Sequence, residues 1–585
     1  MRLLCCLLAA GVLCAGVPTL PLKDIRPGMK GIGKTVFSGS RIDEFQVEIL
    51  GILENVGPRQ SLILAKLSGG PLAQTGILQG MSGSPVYIDG KLIGAVALGF
   101  EYSKEPIAGI RPIEEMLQVT RAPAPARRIA ALPWDGKLDS LLPPAENVLA
   151  PGGARLVNIA TPVSFGGFTR ATIEHFAPQL RSLGLEPLQG AGGGGNPGTT
   201  LGDPAALQPG SMITVQLLSG DMSVGADGTV TCIDNGQVYA FGHRFLSIGT
   251  TDLPFARAEV LTLLPTYNSS FKISTAREWV GTITQDSSTA IAGQLGRMAA
   301  MVPVSIRVRS HGAVQRSDTY QMRMVNDRVL SPFLLQMAVF SAIDATERSI
   351  GDSSFSITGE LEFETGAAPL KIENMYAGDF NLPAQVSMAA AVPLAYAMQS
   401  GFDSLRLKRV ALDIASFPEK RRLQIDQVWT SKREVRPGES VEITVVLTGE
   451  NAAEVTRKVT YQVPVGAPTG PLYFSAADAN TINLTDYRQM MSAPPKTAAQ
   501  LVSFLNRLRR NTKAYLRVWR AEPSYDVGGE PLPGPPPSLA LILARSQSSL
   551  AGLPAPAHSR VAEFEIDAGD VVVSGSKTIQ VEVKE

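Results

Sequence analysis

Two short turns, each lying between runs of alternating apolar and polar residues, constrain the fold of this chain more than any other feature. These are Asp89-Gly90 and Asn235-Gly236. An Xaa-Gly pair between two such runs is typical of a β-hairpin with a type I′ turn, because both central residues of that turn need a positive φ. Other runs with the period of a strand lie at residues 45–53, 61–67, 211–218 and 302–308. The sequence therefore predicts a mainly β protein.

The composition supports a globular, turn-rich chain and excludes several classes of function. The 585 residues, at about 150 per domain, suggest about four domains. Charged residues make up 18% of the chain, and 53 basic residues balance 53 acidic ones. Because no basic excess exists, nucleic acid is not an expected partner. Neither a Walker loop nor a dinucleotide fingerprint is present, which excludes the common nucleotide-binding folds.

The N-terminus has the pattern of a secretory signal. Met1-Arg2 is basic, residues 3–15 form an apolar run too short to span a bilayer, and cleavage is expected near Gly16. Cleavage there would leave Cys232 without a disulfide partner. The longest later apolar run, residues 332–343, is also too short to cross a membrane. We expect an exported protein, periplasmic or extracellular, with no transmembrane span.

A six-residue segment, Gly-Met-Ser-Gly-Ser-Pro at residues 80–85, has the features of a nucleophilic serine turn. A serine nucleophile needs an exposed Oγ on a tight turn with small neighbours, and backbone N–H groups directed at the developing oxyanion. Ser82 is the predicted nucleophile, although Ser84 is also available. The N–H groups of Gly80 and Ser82 form the predicted oxyanion hole. An ordinary Gly/Ser/Pro turn before a hairpin would give the same letters.

A serine nucleophile also needs a base, and histidine is scarce. The chain has four histidines, of which His243 directly follows a predicted hairpin strand. Such a position at a sheet edge can hold a side chain rigidly, although any one of the four histidines, taken singly, also has a structural interpretation. His243 is therefore the candidate general base.

Together, the two regions resemble the SpoIVB (stage IV sporulation protein B) peptidase family. Residues 75–96 are similar to its serine region, and residues 228–243 are similar to its histidine region, in which a Gly-Thr-Leu-Thr strand leads to a Gly-His pair. The resemblance implies an exported chymotrypsin-like serine endopeptidase with Ser82 as nucleophile and His243 as base. It implies a protein or peptide substrate from the envelope or the exterior.

Two departures from the family matter. The serine region precedes the histidine region here, whereas the family has the opposite order; a catalytic triad is defined by geometry rather than by chain order. The family's acid, about fifteen residues before the serine, is missing, since no Asp or Glu lies between Glu54 and Asp89. Asp286 and Asp252 are candidate replacements, and each is also consistent with a solvated loop acid. A Ser–His dyad without an acid is a further alternative.

The expected architecture is a chymotrypsin-like double β-barrel with permuted lobes, followed by an α/β connector and an immunoglobulin-like β-sandwich. Short strands separated by Pro/Gly turns suggest the sandwich. A basic helix is expected over residues 497–519, and another helix over residues 173–185. The expected segments are a signal peptide (1–17), a serine-bearing lobe (18–120), a linker with helix (121–209), a histidine-bearing lobe (210–330), a connector (331–420), the sandwich (421–475) and a mixed C-terminal region (476–585).

Metal and cofactor chemistry has little support in the sequence. It contains no His-Glu-x-x-His motif and no paired cysteine motif, so we expect neither a metal nor a cofactor. The alternative to a peptidase is a catalytically weak or inactive relative that binds proteins as an envelope scaffold. The Ser–His pair favours the peptidase, and the missing acid favours the scaffold.

Overall fold

The structure is a computed structural model that describes most of the chain. The described residues are 17–100, 103–119, 142, 144, 147–149, 155–190, 200–267, 269–312, 315–346, 350–364, 368–450, 453–492, 494–522, 524–527, 530–533, 536–546 and 559–585. Of these, 54% lie in strands and 18% in helices, which confirms the prediction of a mainly β protein. Within the described ranges, no helix has the length and apolarity needed to cross a membrane.

The first compact unit comprises Met1–Val304 and Tyr320–Ser341. After a short 3-10 turn at Leu22–Asp24, it contains six strands that we name the first ring: β1 Lys30–Ser38, β2 Arg41–Gly57, β3 Gln60–Ser68, β4 Pro85–Ile88, β5 Lys91–Phe100 and β6 Ile107–Pro112. Neighbours pair antiparallel in the order β4-β1-β2-β3-β6-β5, and β5 pairs back to β4, so the hydrogen bonding closes on itself. Inward-facing residues, including Phe45, Ile63 and Val96, share one apolar core.

Short elements flank the first ring. Helices α1 Leu72–Thr75 and α2 Ile113–Met116 lie in its connections, and β7 Asn147–Leu149 and β8 Arg155–Asn158 extend the sheet from β5. The predicted linker, residues 121–209, contains β8 and also β9 Thr161–Gly166, α3 Arg170–Ser182, β10 Leu185–Gln189 and a 3-10 turn at Pro204–Ala206. The α3 helix begins earlier than predicted because the Thr169 side chain caps it by accepting a hydrogen bond from the Thr172 N–H.

Six more strands form the second ring: β11 Met212–Gly220, β12 Ser223–Asp234, β13 Gln237–Ala240, β14 Gly249–Leu264, β15 Phe271–Asp286 and β16 Ile291–Leu295. Their pairings run β12-β13-β16-β15-β14-β11, and β11 pairs back to β12, so this ring also closes. β9 pairs with β12. The chain continues through β17 Met301–Ser310, β18 Arg316–Val325 and α4 Leu330–Thr346.

Both predicted hairpins are confirmed. Asp89 and Gly90 connect β4 to β5 with φ values of 49° and 74°, and Asn235 and Gly236 connect β12 to β13 with φ values of 49° and 78°. Two consecutive positive φ values are the requirement of a type I′ turn, which Gly and Asn or Asp meet with little strain.

The second compact unit comprises Ser305–Thr319 and Ala342–Glu585. It begins with β19 Ile350–Phe363, β20 Leu370–Phe380, α5 Leu382–Gln399 and β21 Leu407–Phe417. The remaining elements are β22 Arg422–Thr430, β23 Glu434–Val435, β24 Ser440–Gly449, β25 Glu454–Gln462, β26 Gly470–Asp478, α6 Ala479–Ser492, α7 Ala498–Asn506, β27 Lys513–Arg520, β28 Ser524–Val527, β29 Glu530–Pro533, α8 Pro537–Ser546, β30 Ser559–Asp567, β31 Val572–Ser574 and β32 Ser576–Val583.

Two sheets of this unit share one core. One has the order β25-β24-β22-β31 and the other the order β23-β32-β26-β27-β30. Buried residues from both, such as Ile443 and Phe474, belong to a single apolar cluster, so the sheets pack face to face. The terminal strands β30 to β32 contribute to this core through Ile566, Val573 and Val581.

The basic helix predicted over residues 497–519 is wrong in its second half. The helix α7 ends at Asn506, and Lys513–Arg520 is strand β27, paired with β26 and β30. Arg517 pairs with Asp486 at 3.0 Å and with Glu563 at 2.8 Å. Pairing on both sides and burial of alternate residues outweigh the local helix propensity of this segment.

Candidate active site

The residues of the predicted nucleophile motif form a tight turn before β4, which we name the serine turn (residues 80–84). Gly80 and Gly83 have φ values of 90° and 94°, a region that a residue with a Cβ rarely adopts. The turn is anchored at its start, because the Gln79 N–H donates to the Ser270 carbonyl at 2.8 Å and the Gln79 carbonyl accepts from the Lys272 N–H at 3.2 Å. The start of β15 therefore fixes where the turn begins.

Strand β12 of the second ring holds the serine turn along its length. The Thr229 N–H donates to the Ser82 carbonyl and the Thr229 Oγ1 to the Gly80 carbonyl, each at 2.9 Å. The Thr231 Oγ1 donates to the Gly83 carbonyl at 2.8 Å. A Cβ added at Gly83 would lie 2.0 Å from the Thr229 carbonyl oxygen. Only glycine permits this approach, so the motif and the second ring are fitted to each other.

Two N–H groups of the turn have no acceptor among the described residues. They belong to Gly80 and Ser82, the pair predicted to form the oxyanion hole. The neighbouring N–H groups are used, since Gly83 donates to the Val96 carbonyl at 2.8 Å and Ser84 to the Met81 carbonyl at 2.9 Å. Unpaired N–H groups beside a candidate nucleophile are free to bind a developing oxyanion.

His243 follows β13 at a tight bend in which Phe241 and Gly242 have φ values of 71° and 70°. The imidazole is 2% exposed, and its Nδ1 lies 2.6 Å from the Arg244 carbonyl oxygen. Because a carbonyl only accepts, Nδ1 carries the proton and Nε2 presents a lone pair. Burial lowers the pKa of His243 to about 4, and the charges of Arg111 and Arg244 act in the same direction. The neutral, basic form is therefore favoured at neutral pH.

Ser82 and His243 each carry a buried polar atom without a partner. Among the described residues, neither the Ser82 Oγ nor the His243 Nε2 has a hydrogen bond, and none joins the two. The Phe241 N lies 2.5 Å from the position of a Cβ at Gly83, so the residue after Ser82 contacts the bend that carries His243. Buried polar atoms are rarely left unpaired, so these two atoms on contacting segments need an explanation, and a catalytic role is one.

Ser84 has a different environment from Ser82. Its Oγ donates to the Thr35 Oγ1 at 3.0 Å, whereas the Ser82 Oγ has no hydrogen bond among the described residues, and both side chains are fully buried. A hydroxyl that is already hydrogen-bonded is less available to attack a substrate. Of the two serines that the sequence left open, the geometry favours Ser82.

Neither candidate acid bonds to His243. Both oxygens of Asp286 accept from backbone N–H groups of the loop after His243, at 2.9 Å from Phe245, 2.7 Å from Leu246 and 3.2 Å from Ile248. Asp252 pairs with Arg297 at 2.8 Å. The expectation of a carboxylate behind the imidazole is therefore not met, because the Arg244 carbonyl occupies that place. Burial raises the pKa of Asp286 to about 6, and its three N–H bonds oppose that shift.

The other histidines lie in packing contacts or outside the described residues. The His175 ring stacks on Phe340 at 4.9 Å between centroids, and the His311 ring stacks on Phe417 at 5.0 Å. His558 falls outside the described residues. Among the described residues, Cys232 is a buried free cysteine.

Sequence reasoning missed two buried cations near the site. Lys272 lies on β15 against the serine turn, and Arg111 is 2% exposed and pairs with Glu115 at 3.3 Å. Only Lys272 leaves a signal in the sequence, because β15 alternates in burial and Lys272 has the same strand parity as the small buried residues Ser274 and Ala276; Arg111 lies on β6, which is buried almost throughout. That pattern predicts that Lys272 lies on the buried face of β15, but it does not predict which residue it contacts.

Comparisons with known proteins agree with the resemblance seen in the sequence. The model of the SpoIVB peptidase S55 family matches residues 17–117, a segment that contains the first ring and Ser82. No curated protein and no solved structure matches the chain. The SpoIVB resemblance is thus confirmed for residues 17–117, which supports a peptidase that acts on protein. His243 lies beyond the matched segment.

Proposed function

We propose that this chain, which contains a SpoIVB peptidase S55 segment, is an exported serine endopeptidase with Ser82 as nucleophile and His243 as general base. One observation carries the proposal. A buried hydroxyl and a buried imidazole nitrogen, both unpaired among the described residues, lie on two segments that contact each other. The tautomer of His243 presents the lone pair that a general base requires.

The proposed acylation follows from these roles. The Ser82 Oγ forms a bond to the carbonyl carbon of a peptide while its proton moves to the His243 Nε2. The carbonyl electron pair moves onto oxygen, and the N–H groups of Gly80 and Ser82 stabilise the resulting oxyanion. Collapse restores the carbonyl, breaks the C–N bond and returns the proton to the leaving amine. Water then repeats the sequence on the acyl-enzyme and restores Ser82.

In this mechanism, the Arg244 carbonyl orients the imidazole in place of a carboxylate. A neutral carbonyl fixes the tautomer but stabilises the imidazolium less than an ionised acid does, so a slow Ser–His dyad is expected. Asp286 is assigned a supporting role, since its three backbone hydrogen bonds hold the loop that follows His243. Asp252 is assigned none.

The closed pairings support a chymotrypsin-like arrangement of two barrels with the lobes in inverted order. Each ring has six antiparallel strands, and the serine turn enters the first ring while His243 leaves a strand of the second. For residues 422–583, the two sheets around one core support an immunoglobulin-like sandwich that recognises protein. The basic n-region and the short apolar run at residues 3–15 support export to the periplasm or the exterior.

A non-catalytic binding scaffold is the second candidate, and it also has an observation in its favour. The Ser82 side chain is fully buried, His243 is 2% exposed, and no hydrogen bond joins them. A protease must admit a peptide to these atoms, so the described conformation would have to open for substrate.

Labelling with a fluorescent fluorophosphonate distinguishes the two candidates. We expect the wild-type chain to be labelled at Ser82, and the variants Ser82→Ala and His243→Ala to lose labelling while remaining folded. Ser84→Ala is the matched control, because it removes a hydroxyl from the same turn and should keep labelling. A folded wild type that resists the reagent, or equal labelling of Ser82→Ala, would favour the scaffold.

A further inference from the structure

Beneath the serine turn, a fully buried lysine joins a chain of hydroxyls. The Lys272 Nζ donates to the Thr35 Oγ1 at 2.8 Å, and the same Thr35 oxygen accepts from the Ser84 Oγ at 3.0 Å. All three side chains are completely excluded from solvent. An amine buried this deeply loses its hydration, which disfavours its charged form, so its position needs a reason.

One carboxylate near this lysine favours its charged form. Asp227, on β12, is 1% exposed and accepts from the Thr214 Oγ1 at 2.5 Å and from the Ser274 Oγ at 2.6 Å. Burial raises the pKa of Asp227 to about 6. Burial lowers the pKa of Lys272 to about 7, and the field of Asp227 opposes that shift. Both groups therefore change charge close to neutral pH.

The lysine lies directly against the glycine that begins the oxyanion loop. A Cβ added at Gly80 would lie 3.4 Å from the Lys272 Cδ and 3.6 Å from its Cβ. Lys272 therefore meets the serine turn at both ends, directly at Gly80 and through Thr35 at Ser84. Neither of these side-chain contacts belongs to the backbone pairing of the β4–β5 hairpin, and both involve the turn that carries Ser82.

We infer that Lys272 is a positioning residue for the peptidase: its buried ammonium fixes the serine turn through Thr35 and Ser84 and places positive charge beneath the oxyanion hole. The inference rests on the proposed function. Because the charge of the carbonyl oxygen develops only during attack by Ser82, a fixed cation nearby stabilises the transition state more than the bound substrate. Removal should therefore lower kcat and leave KM nearly unchanged.

His243 and Lys272 together predict a pH profile of the reaction with an acid limit and an alkaline limit. Attack requires neutral His243, which the lowered pKa provides above about pH 4, and protonated Lys272, which persists below about pH 7. Reaction should be fastest between these limits. Among the described residues, Asp227 is the charged group whose field acts on Lys272; its other neighbours are Gly80 of the serine turn, Thr35 on β1 and Leu263 on the paired strand β14, which do not titrate.

The test is the rate constant of fluorophosphonate labelling of the full chain, measured from about pH 4 to about pH 9. For Lys272→Met, which keeps an unbranched side chain one atom shorter and without charge, we expect a loss of about tenfold at pH 6, less than the 10²–10³ typical of a lost oxyanion donor, and no alkaline limb near pH 7. Asp227→Asn should move that limb to lower pH, because loss of the carboxylate weakens the protonation of Lys272.

The outcomes separate this inference from the function on which it rests. No labelling of wild-type Ser82 would overturn the peptidase itself. A labelled wild type and a Lys272→Met variant with the same rate and the same alkaline limb would overturn only the role of Lys272. A purely structural lysine would lower the urea midpoint of its variant without removing the limb. If Lys272→Met fails to fold, an unmoved limb in folded Asp227→Asn also overturns the inference.

Discussion

A single methyl group at Gly83 tests whether the serine turn is seated on the second ring as the structure has it. In Gly83→Ala, the new Cβ would lie 2.0 Å from the Thr229 carbonyl oxygen and 2.5 Å from the Phe241 N. These are backbone atoms on strand and bend, which cannot rotate away as a flexible side chain can. The turn must therefore separate from β12, and it must do so at a φ of 94° that disfavours alanine.

The magnitude follows from two terms. Alanine at a positive φ costs about 1–2 kcal/mol. Separation weakens the hydrogen bonds from Thr229 to Ser82 and from Thr231 to Gly83, each of which contributes about 0.5–1.5 kcal/mol. We expect Gly83→Ala to lower the free energy of unfolding by about 3–5 kcal/mol when the loss of close packing is included. Labelling of Ser82 should fall by at least tenfold, since the nucleophile moves with the turn.

Gly90→Ala is the matched control, because Gly90 also has a positive φ, of 74°, but has no atom within 4 Å of an added Cβ. It should cost about 1–2 kcal/mol, the conformational term alone. Urea unfolding followed by tryptophan fluorescence gives both values in the same compact unit. If Gly83→Ala costs no more than Gly90→Ala, the serine turn does not lie against Thr229 and Phe241, and the reasoning about the site fails.

Three further predictions concern single groups of the site. Ser84→Ala should lower the free energy of unfolding by about 0.5–1.5 kcal/mol, because it breaks one buried hydrogen bond, and it should slow fluorophosphonate labelling by less than the loss expected of Lys272→Met, because the ammonium of Lys272 remains; complete loss of labelling would make Ser84 the nucleophile. Asp286→Ala should cost about 3–5 kcal/mol in urea unfolding, since it strands buried N–H groups of the loop after His243, and a loss below 1 kcal/mol would contradict that role. The pKa of His243 is lowered in the fold, so the unfolded chain binds more protons between about pH 4 and pH 6.5, and this group makes stability rise with pH across that window. His243→Gln should remove that part of the pH dependence of the urea midpoint; an identical dependence in both proteins would show that the imidazole is not buried.

Several features of this protein could be predicted from short stretches of sequence. The hairpins at Asp89-Gly90 and Asn235-Gly236 were predicted correctly, because the φ requirement of a type I′ turn is local to two residues. The serine turn was recognisable for the same reason, because its glycines satisfy a local requirement for positive φ and the turn lies within the segment that matches the SpoIVB family. The basic helix failed where the local pattern competed with pairing to two strands distant in sequence.

What the sequence left open was decided by contacts between distant residues. Thr229 reaches the Gly80 carbonyl across 149 positions, and Lys272 reaches Thr35 across 237. The missing acid is an example. The sequence left Asp286 and Asp252 as candidates, whereas in the fold Asp286 accepts from three backbone N–H groups and His243 hydrogen-bonds to the Arg244 carbonyl. Sequence determines which groups exist and how each short segment bends. Which donor pairs with which acceptor depends on the tertiary structure, because the packed strands of the two rings decide which polar groups lie within hydrogen-bond distance of each other.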